Sequence, residues 1–285
     1  MHFGYLGDLF SDPRNTLIFL LLALPGRLMA IAAHEAAHGW VAERCGDPTA
    51  RFMGRITLNP LKHLDPVGVF MMVVFGFGWA RPVPVNPRNF RNYRRDDLLV
   101  SIAGITANLV LFLLGVLLMY GLLIIAVMQV PRVASAATTG QELFIASYKG
   151  GDAMFFQEGA QRYYLPLADA FRNGIFMSDT IIAPVFGQVA GHLYDMLYYF
   201  VVTNMVLAVF NMIPVPPLDG YHVLNDLVLK GNLFAGRQAQ GIGMGLLYLG
   251  VFTGVLGDML GNVYTLVLGR LGELAVLLCR WMGLF

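Results

Sequence analysis

His34-Glu35-Ala36-Ala37-His38 sets two imidazoles four residues apart with a carboxylate beside the first. On a helix this spacing puts both rings on one face, where they can share a divalent metal, and leaves Glu35 next to them as a general base. The chemistry available to such a set is attack of an activated water on a polarised carbonyl. HExxH alone occurs in many zinc proteins. Here it follows Leu17-Ile18-Phe19-Leu20-Leu21-Leu22-Ala23-Leu24, so its helix is hydrophobic and the site would lie within or at the edge of a bilayer. Ionisable side chains at that depth are costly and mark function. The first expectation is hydrolysis of a peptide bond inside a membrane.

The chain of 285 residues is 57% hydrophobic and 13% charged, against about 25% charged in soluble domains. It reads as an integral membrane protein with several spans. A net charge of +1 gives no basic field for nucleic acid. Cys45 and Cys279 are far apart in sequence and imply neither a disulfide framework nor a thiolate metal site. No cleavable signal peptide is expected, because the first apolar stretch carries the HExxH residues.

A spanning helix needs about 20 apolar residues. Candidate spans run from Thr16 to Ala42, Leu98 to Val130, Thr180 to Met212 (broken by Pro184 and Gly187), Gly241 to Leu256 and Gly261 to Leu278. The apolar stretch from Val67 to Phe77 is too short to cross and reads as re-entrant or interfacial. Residues 43–97 form an irregular block rich in Pro and Asn, where short β-ribbons are expected. Non-helical backbone at membrane depth survives only against protein or water, so this block is expected to wall a water-accessible site. Arg44, Arg51, Arg55, Lys62, Arg81, Arg88, Arg91, Arg94 and Arg95 crowd into it, and Lys230 and Arg237 follow the third span. The opposite side receives the sparser Arg14, Arg132, Lys149, Arg162 and Arg172. By the positive-inside rule the 43–97 block and the 219–238 loop face the cytoplasm. Residues 131–177 then form an external loop whose aromatics, from Phe144 to Phe176, read as an interfacial belt.

The first and third spans both run inward. The third ends at Asn211-Met212-Ile213-Pro214-Val215-Pro216-Pro217-Leu218-Asp219-Gly220, which brings Asp219 to the depth of the histidines. Catalytic zinc commonly takes three protein ligands and keeps a fourth position for water. Asp219 is the natural third ligand, and the prolines break the helix so that its carboxylate can be re-aimed. Glu35 would take the proton from the activated water and pass it to the leaving amine. The alternative for Asp219 is an ordinary turn residue. For Glu35 it is a helix-face glutamate paired with Arg44.

His34-Glu35-Ala36-Ala37-His38-Gly39, Gly46-Asp47-Pro48-Thr49-Ala50 and Gly54-Arg55-Ile56-Thr57-Leu58-Asn59-Pro60 together resemble the site-2 protease family of intramembrane zinc metalloproteases. So do Pro82-Val83-Pro84-Val85-Asn86-Pro87, Ser101-Ile102-Ala103-Gly104, Asn108 and Asn211 through Gly220. The matching blocks cover about half the chain, roughly residues 16–128 and 200–226. The resemblance implies a single Zn2+ on His34, His38 and Asp219, Glu35 as catalyst, and a transmembrane protein substrate cut near the cytoplasmic side. It also points to Asn108, Asn211 and Asn86 as polar groups that hold an extended substrate or stabilise an oxyanion. For Asn108 an interhelical hydrogen bond is the competing reading. Ile105 stands where a proline often follows Ala-Gly in the family, and no PDZ-like or nucleotide-sensing domain fits in the length.

Other residues are weaker candidates. His63 and Asp65 are expected to order the 43–97 block, and His222 to support the metal from behind. Arg27 has no evident partner in the sequence. The expected fold is an all-α polytopic membrane protein of about five transmembrane helices with a small β-rich, membrane-associated cytoplasmic insertion. Residues 1–226 would form the metalloprotease core and 227–285 the C-terminal helices. The expected function is zinc-dependent endoproteolysis of transmembrane segments in a prokaryotic plasma membrane, with an accessory membrane protein or a second copy as further partner. A metal transporter or a non-catalytic membrane scaffold are the rival readings.

Overall fold

In a computed structural model the chain is described over residues 10–75, 78–132, 143–148, 151–158, 161–172, 177–228 and 237–283. Lys149, Phe176 and Lys230 lie outside the described residues, so the expectations placed on them have no structural counterpart. Among the described residues four helices are long and apolar enough to cross a membrane: α1 (Pro13–Cys45), α3 (Tyr93–Gln129), α4 (Gln188–Asn211) and α7 (Val255–Trp281). Between them lie α2 (Pro66–Phe75), α5 (Asp219–Leu227) and α6 (Arg237–Phe252). The molecule is a helical polytopic membrane protein. The span expected near Gly241–Leu256 is α6, whose apolar part, Gln240–Phe252, is shorter than the other four. At ten residues α2 is too short to cross, and residues 76 and 77 of the expected stretch lie outside the described residues. The third expected span is interrupted at Gly187, in left-handed backbone at φ 94°, so α4 starts afresh at Gln188.

The chain divides into two compact units, Met1–Leu113 with Tyr199–Asn262, and Leu114–Tyr198 with Val263–Phe285. In the first, α1 begins on a capping Asp12 whose carboxylate accepts from Asn15 N–H, with Pro13 in the first turn. Apart from Thr16, His34 and Cys45, its buried residues are alanines and glycines: Ala23, Gly26, Ala30, Ala32, Ala36, Gly39 and Ala42. In lipid, where apolar side chains gain nothing by leaving the hydrocarbon, helices associate through such close backbone approach. A Cβ on Gly26 would stand 3.0 Å from the Cα of Phe200, so α1 and α4 touch nearly backbone to backbone there. Each helix then rises about 1.5 Å per residue. His34 and His38 lie eight and twelve residues beyond Gly26, and Asn211 lies eleven beyond Phe200. Parallel neighbours therefore bring the histidines and the end of α4 to similar heights. Arg27 does have a companion: its guanidinium lies over the Phe19 ring, 5.5 Å from the centroid.

The second unit holds the β structure. Strands β1 (Leu143–Tyr148), β2 (Gly151–Glu158) and β3 (Gln161–Pro166) form an antiparallel meander. Leu143 pairs with Phe156, and Phe156 with Tyr163. Ile145, Met154 and Phe155 are buried, as are Leu167 and Phe171 of the following short helix, while Tyr163 and Tyr164 are exposed. This corrects the sequence expectation of where the β structure lies. The small β element belongs to the 131–177 loop, and the 43–97 block carries only the isolated bridge Leu64–Ala80 among its described residues. The reason is proline. Pro82, Pro84 and Pro87 have no N–H to give to a ladder. The N–H groups of Arg81, Val83 and Asn86 go instead to His63 O, the Glu35 carboxylate and the Asp47 carboxylate. The aromatic-rich strands at 143–166 carry the residue types that pleated surfaces favour.

Candidate metal centre

His34 and His38 sit one turn apart near the end of α1, and Asp219 opens α5 after the proline-rich turn that closes α4. That turn is held by Val215 N–H to Ile213 O and Leu218 N–H to Val215 O, at 2.8 and 2.9 Å. The three side chains converge. His34 Nε2 is 3.0 Å from His38 Nε2, and Asp219 Oδ2 stands 3.3 and 3.4 Å from the two nitrogens. His38 Nδ1 donates to Val100 O at 2.8 Å, and His34 Nδ1 pairs with Asn108 Oδ1 at 2.7 Å. With hydrogens on both Nδ1 atoms, both Nε2 atoms present lone pairs to each other and to a buried carboxylate oxygen. Three lone pairs facing one point repel unless a cation is shared among them. Among the described residues this is the one His/Cys/Asp/Glu group with metal-holding geometry. Asp219 Oδ2 is buried and receives no hydrogen bond, which is the same demand for positive charge.

Helix α3 supplies the wall on which the imidazoles rest. Val100, Gly104 and Asn108 follow at intervals of four and share one face. The outer two bond the rings, and Gly104 clears the space between: a Cβ there would lie 2.5 Å from both His34 Cε1 and His38 Nε2.

Glu35 is half-buried, and its Oε2 accepts the Val83 N–H at 2.7 Å. Val83 is buried, with Cγ1 3.2 Å from where a Gly39 Cβ would be. The segment is fastened by the buried Arg55, which donates to Arg81 O and Pro82 O at 2.6 and 3.2 Å. One carboxylate oxygen of Glu35 is thus fixed by backbone. Asp47 secures the far end of the segment, accepting from Asn86 N–H and Asn89 Nδ2 at 2.7 Å each. Its burial favours the neutral acid, but these bonds and those from Thr49 prevail and lower its pKa.

Of the three asparagines the resemblance points to, Asn108 is fully buried and committed. Its Oδ1 meets His34, and its Nδ2 donates to Ala30 O and Asn204 Oδ1 at 3.3 and 2.9 Å. No N–H is left on it for a substrate oxygen. Asn86 is exposed, and its Oδ1 caps a short turn by accepting from Arg88 N–H at 3.2 Å. Asn211 ends α4 and bonds Leu207 O of its own helix at 3.0 Å. His63 is fully buried and bonds Thr57 O at 2.8 Å, and Asp65 caps α2 through Gly68 N–H. His222 faces Asp97 at 3.2 Å rather than the metal trio, and that carboxylate raises its pKa.

Sequence reasoning missed Asn204, Val83 and Arg55 as parts of the site. Asn204 did carry a signal: it lies seven residues before Asn211, on the same face of an apolar helix, where an amide is expensive. Val83 is the lone N–H donor between two prolines.

A helical membrane protein that gathers two imidazoles, a carboxylate and an adjacent glutamate has the makings of a membrane metallohydrolase. Residues 22–252 match the model of peptidase family M50, and the chain belongs to that family, the site-2 proteases. It is 32% identical over 246 residues to the protein named Putative zinc metalloprotease YwhC of Bacillus subtilis, covering 86% of this chain and 85% of that one. Putative zinc metalloprotease Rip2 of Mycolicibacterium smegmatis is 33% identical over 99 residues, 33% of this chain and 38% of its own. Putative zinc metalloprotease sll0528 of Synechocystis is 34% identical over 111 residues, 33% of this chain and 27% of its own. No solved structure gives a significant match.

Proposed function

We propose that this metalloprotease is an intramembrane zinc endopeptidase that cuts transmembrane segments of other membrane proteins. The observation that carries the reading is the convergence of His34, His38 and Asp219 beside Glu35, on a helix apolar enough to span a bilayer. Zinc, when held by this trio, supplies a Lewis acid that makes water acidic near neutral pH. Glu35 is the base. Its Oε2 is pinned by Val83 N–H, so the proton goes to the other carboxylate oxygen and from there to the leaving amine. Asn211, at the end of α4, is the candidate for steadying the substrate carbonyl, with one N–H beyond the bond to Leu207.

A transmembrane substrate must partly unwind first, because a helix ties up its carbonyls in its own hydrogen bonds. An extended strand lying beside residues 81–87 would have to give its own N–H groups to carbonyls of this segment, whose donors are largely spent or absent. The arginine-rich 43–97 block favours placement of the site towards the cytoplasm. A transporter would want further ionisable groups along several spans.

The test is cleavage of a co-reconstituted single-span membrane protein in liposomes, with the cut mapped by mass spectrometry. A zinc-dependent cut within the apolar span on its cytoplasmic half is expected, abolished by a zinc chelator and restored by added zinc. Cuts confined to soluble segments, or cleavage indifferent to chelation, would defeat the reading.

A further inference from the structure

Asn108 and Asn204 are both fully buried in apolar helices, and neither amide is used by the reaction outlined above. Their hydrogen bonds run in one direction. Phe200 O is a backbone carbonyl and can only accept, so the Asn204 atom 2.8 Å from it is the NH2 group. The Asn204 oxygen therefore faces Asn108, 2.9 Å away, and must receive a hydrogen there. Ala30 O, another pure acceptor, meets the same Asn108 nitrogen at 3.3 Å. With its NH2 called on twice, the Asn108 amide has only its oxygen to turn towards His34 Nδ1, at 2.7 Å. That oxygen needs a hydrogen from the ring.

We propose that Asn204 is a positioning residue for the metal centre, fixing through Asn108 the tautomer of His34 with its hydrogen on Nδ1 and its Nε2 lone pair aimed at Asp219 and His38. The inference rests on the metal-site reading of the trio. A neutral histidine free to choose its tautomer would spend part of its time with hydrogen on Nε2, the atom a metal must take. Two backbone carbonyls on two different helices, at Ala30 and Phe200, set the polarity of the relay. A turned Asn108 amide would point its oxygen at both Ala30 O and Asn204 Oδ1. In a site shielded from water such a mispairing finds no relief.

The relay predicts an order of zinc affinities, measured on purified full-length protein by competition with a chromogenic chelator, with Zn2+ as the only ligand. Asn108→Leu removes the acceptor and is expected to weaken zinc binding by about 10- to 100-fold, the usual cost of losing a metal-histidine's outer partner. Asn204→Leu, isosteric but unable to accept, releases one of the two checks on Asn108 and is expected to cost about tenfold on the same scale. Asn204→Asp keeps an oxygen facing Asn108 in either protonation state and is expected to stay close to wild type. An Asn204→Leu protein with wild-type affinity would overturn the proposal.

A second readout needs no variant at Asn108 or Asn204. Long-range proton–nitrogen NMR of zinc-free wild-type protein labelled in histidine, with His34 assigned by its loss in His34→Gln, must show hydrogen on Nδ1. A bare Nδ1 there overturns the relay even if the leucine variants fail to fold. Wild-type protein that binds no zinc would instead strike at the metal-site reading, while the NMR result would still decide the relay.

Discussion

Glu35→Gln is expected to slow substrate cleavage by about 10²- to 10⁴-fold, the range that a positioned acid–base group contributes, while zinc content stays at the wild-type level. The two parts separate because Glu35 is not one of the three converging side chains. An amide oxygen in the same place can still accept the Val83 N–H, so the segment from Arg81 to Asn86 keeps its seat against α1. What the amide lacks is basicity: it cannot take a proton from water or return one to an amine. The measurement pairs the rate of fragment formation in liposomes with metal analysis of the same preparation. Cleavage at the wild-type rate would end the assignment of Glu35 as base. Zinc lost along with activity would mean that the substitution had disturbed the metal trio itself.

Gly104→Ala carries the second large expectation, and its sign runs against helix propensity. Alanine on an exposed helix stabilises by about 1 kcal/mol relative to glycine. At position 104 its methyl group would enter at 2.5 Å from His34 Cε1 and His38 Nε2 and 2.7 Å from His38 Cε1. Neither ring can retreat freely, since His38 is bonded to Val100 O one turn before and His34 to Asn108 one turn after on the same face. Overpacking of this kind costs about 1–3 kcal/mol, and at about 1.4 kcal/mol per factor of ten zinc affinity should fall by about 5- to 150-fold. Chelator competition reads the affinity, and circular dichroism checks that the helices persist. Unchanged affinity would show that the imidazoles do not rest on α3 as described.

Much of the centre was legible in the sequence because its information is local. The His34–His38 spacing needs only a helix, and the apolar run before it fixes what kind of helix. Asp219 was legible because the prolines from Pro214 to Pro217 end a span at the height where the first span carries its histidines. The outer parts were not legible, because they arise from contacts between segments far apart in sequence. Val83 meets Glu35 across 48 residues, and Asn108 meets Asn204 across 96. The β structure was expected in the wrong segment for a related reason. Short apolar pieces between prolines look strand-like, but whether their N–H groups reach a ladder or a side chain is settled by tertiary contacts. The stacked pair Phe156–Tyr163, at 5.7 Å, belongs to a loop whose aromatics read as an interfacial belt from composition alone. Arg27 lacked a partner on paper, yet Phe19 lies eight residues before it, about two turns back along α1.

Zinc K-edge X-ray absorption on the purified protein tests the centre most directly. It should find a single class of zinc with two imidazole nitrogens at about 2.0–2.1 Å and carboxylate and water oxygens at about 2.0–2.2 Å, and Asp219→Asn should alter the oxygen shell while leaving both imidazoles in place. A metal shell without imidazole, or one indifferent to Asp219, would contradict the joining of these three residues into one catalytic metal site.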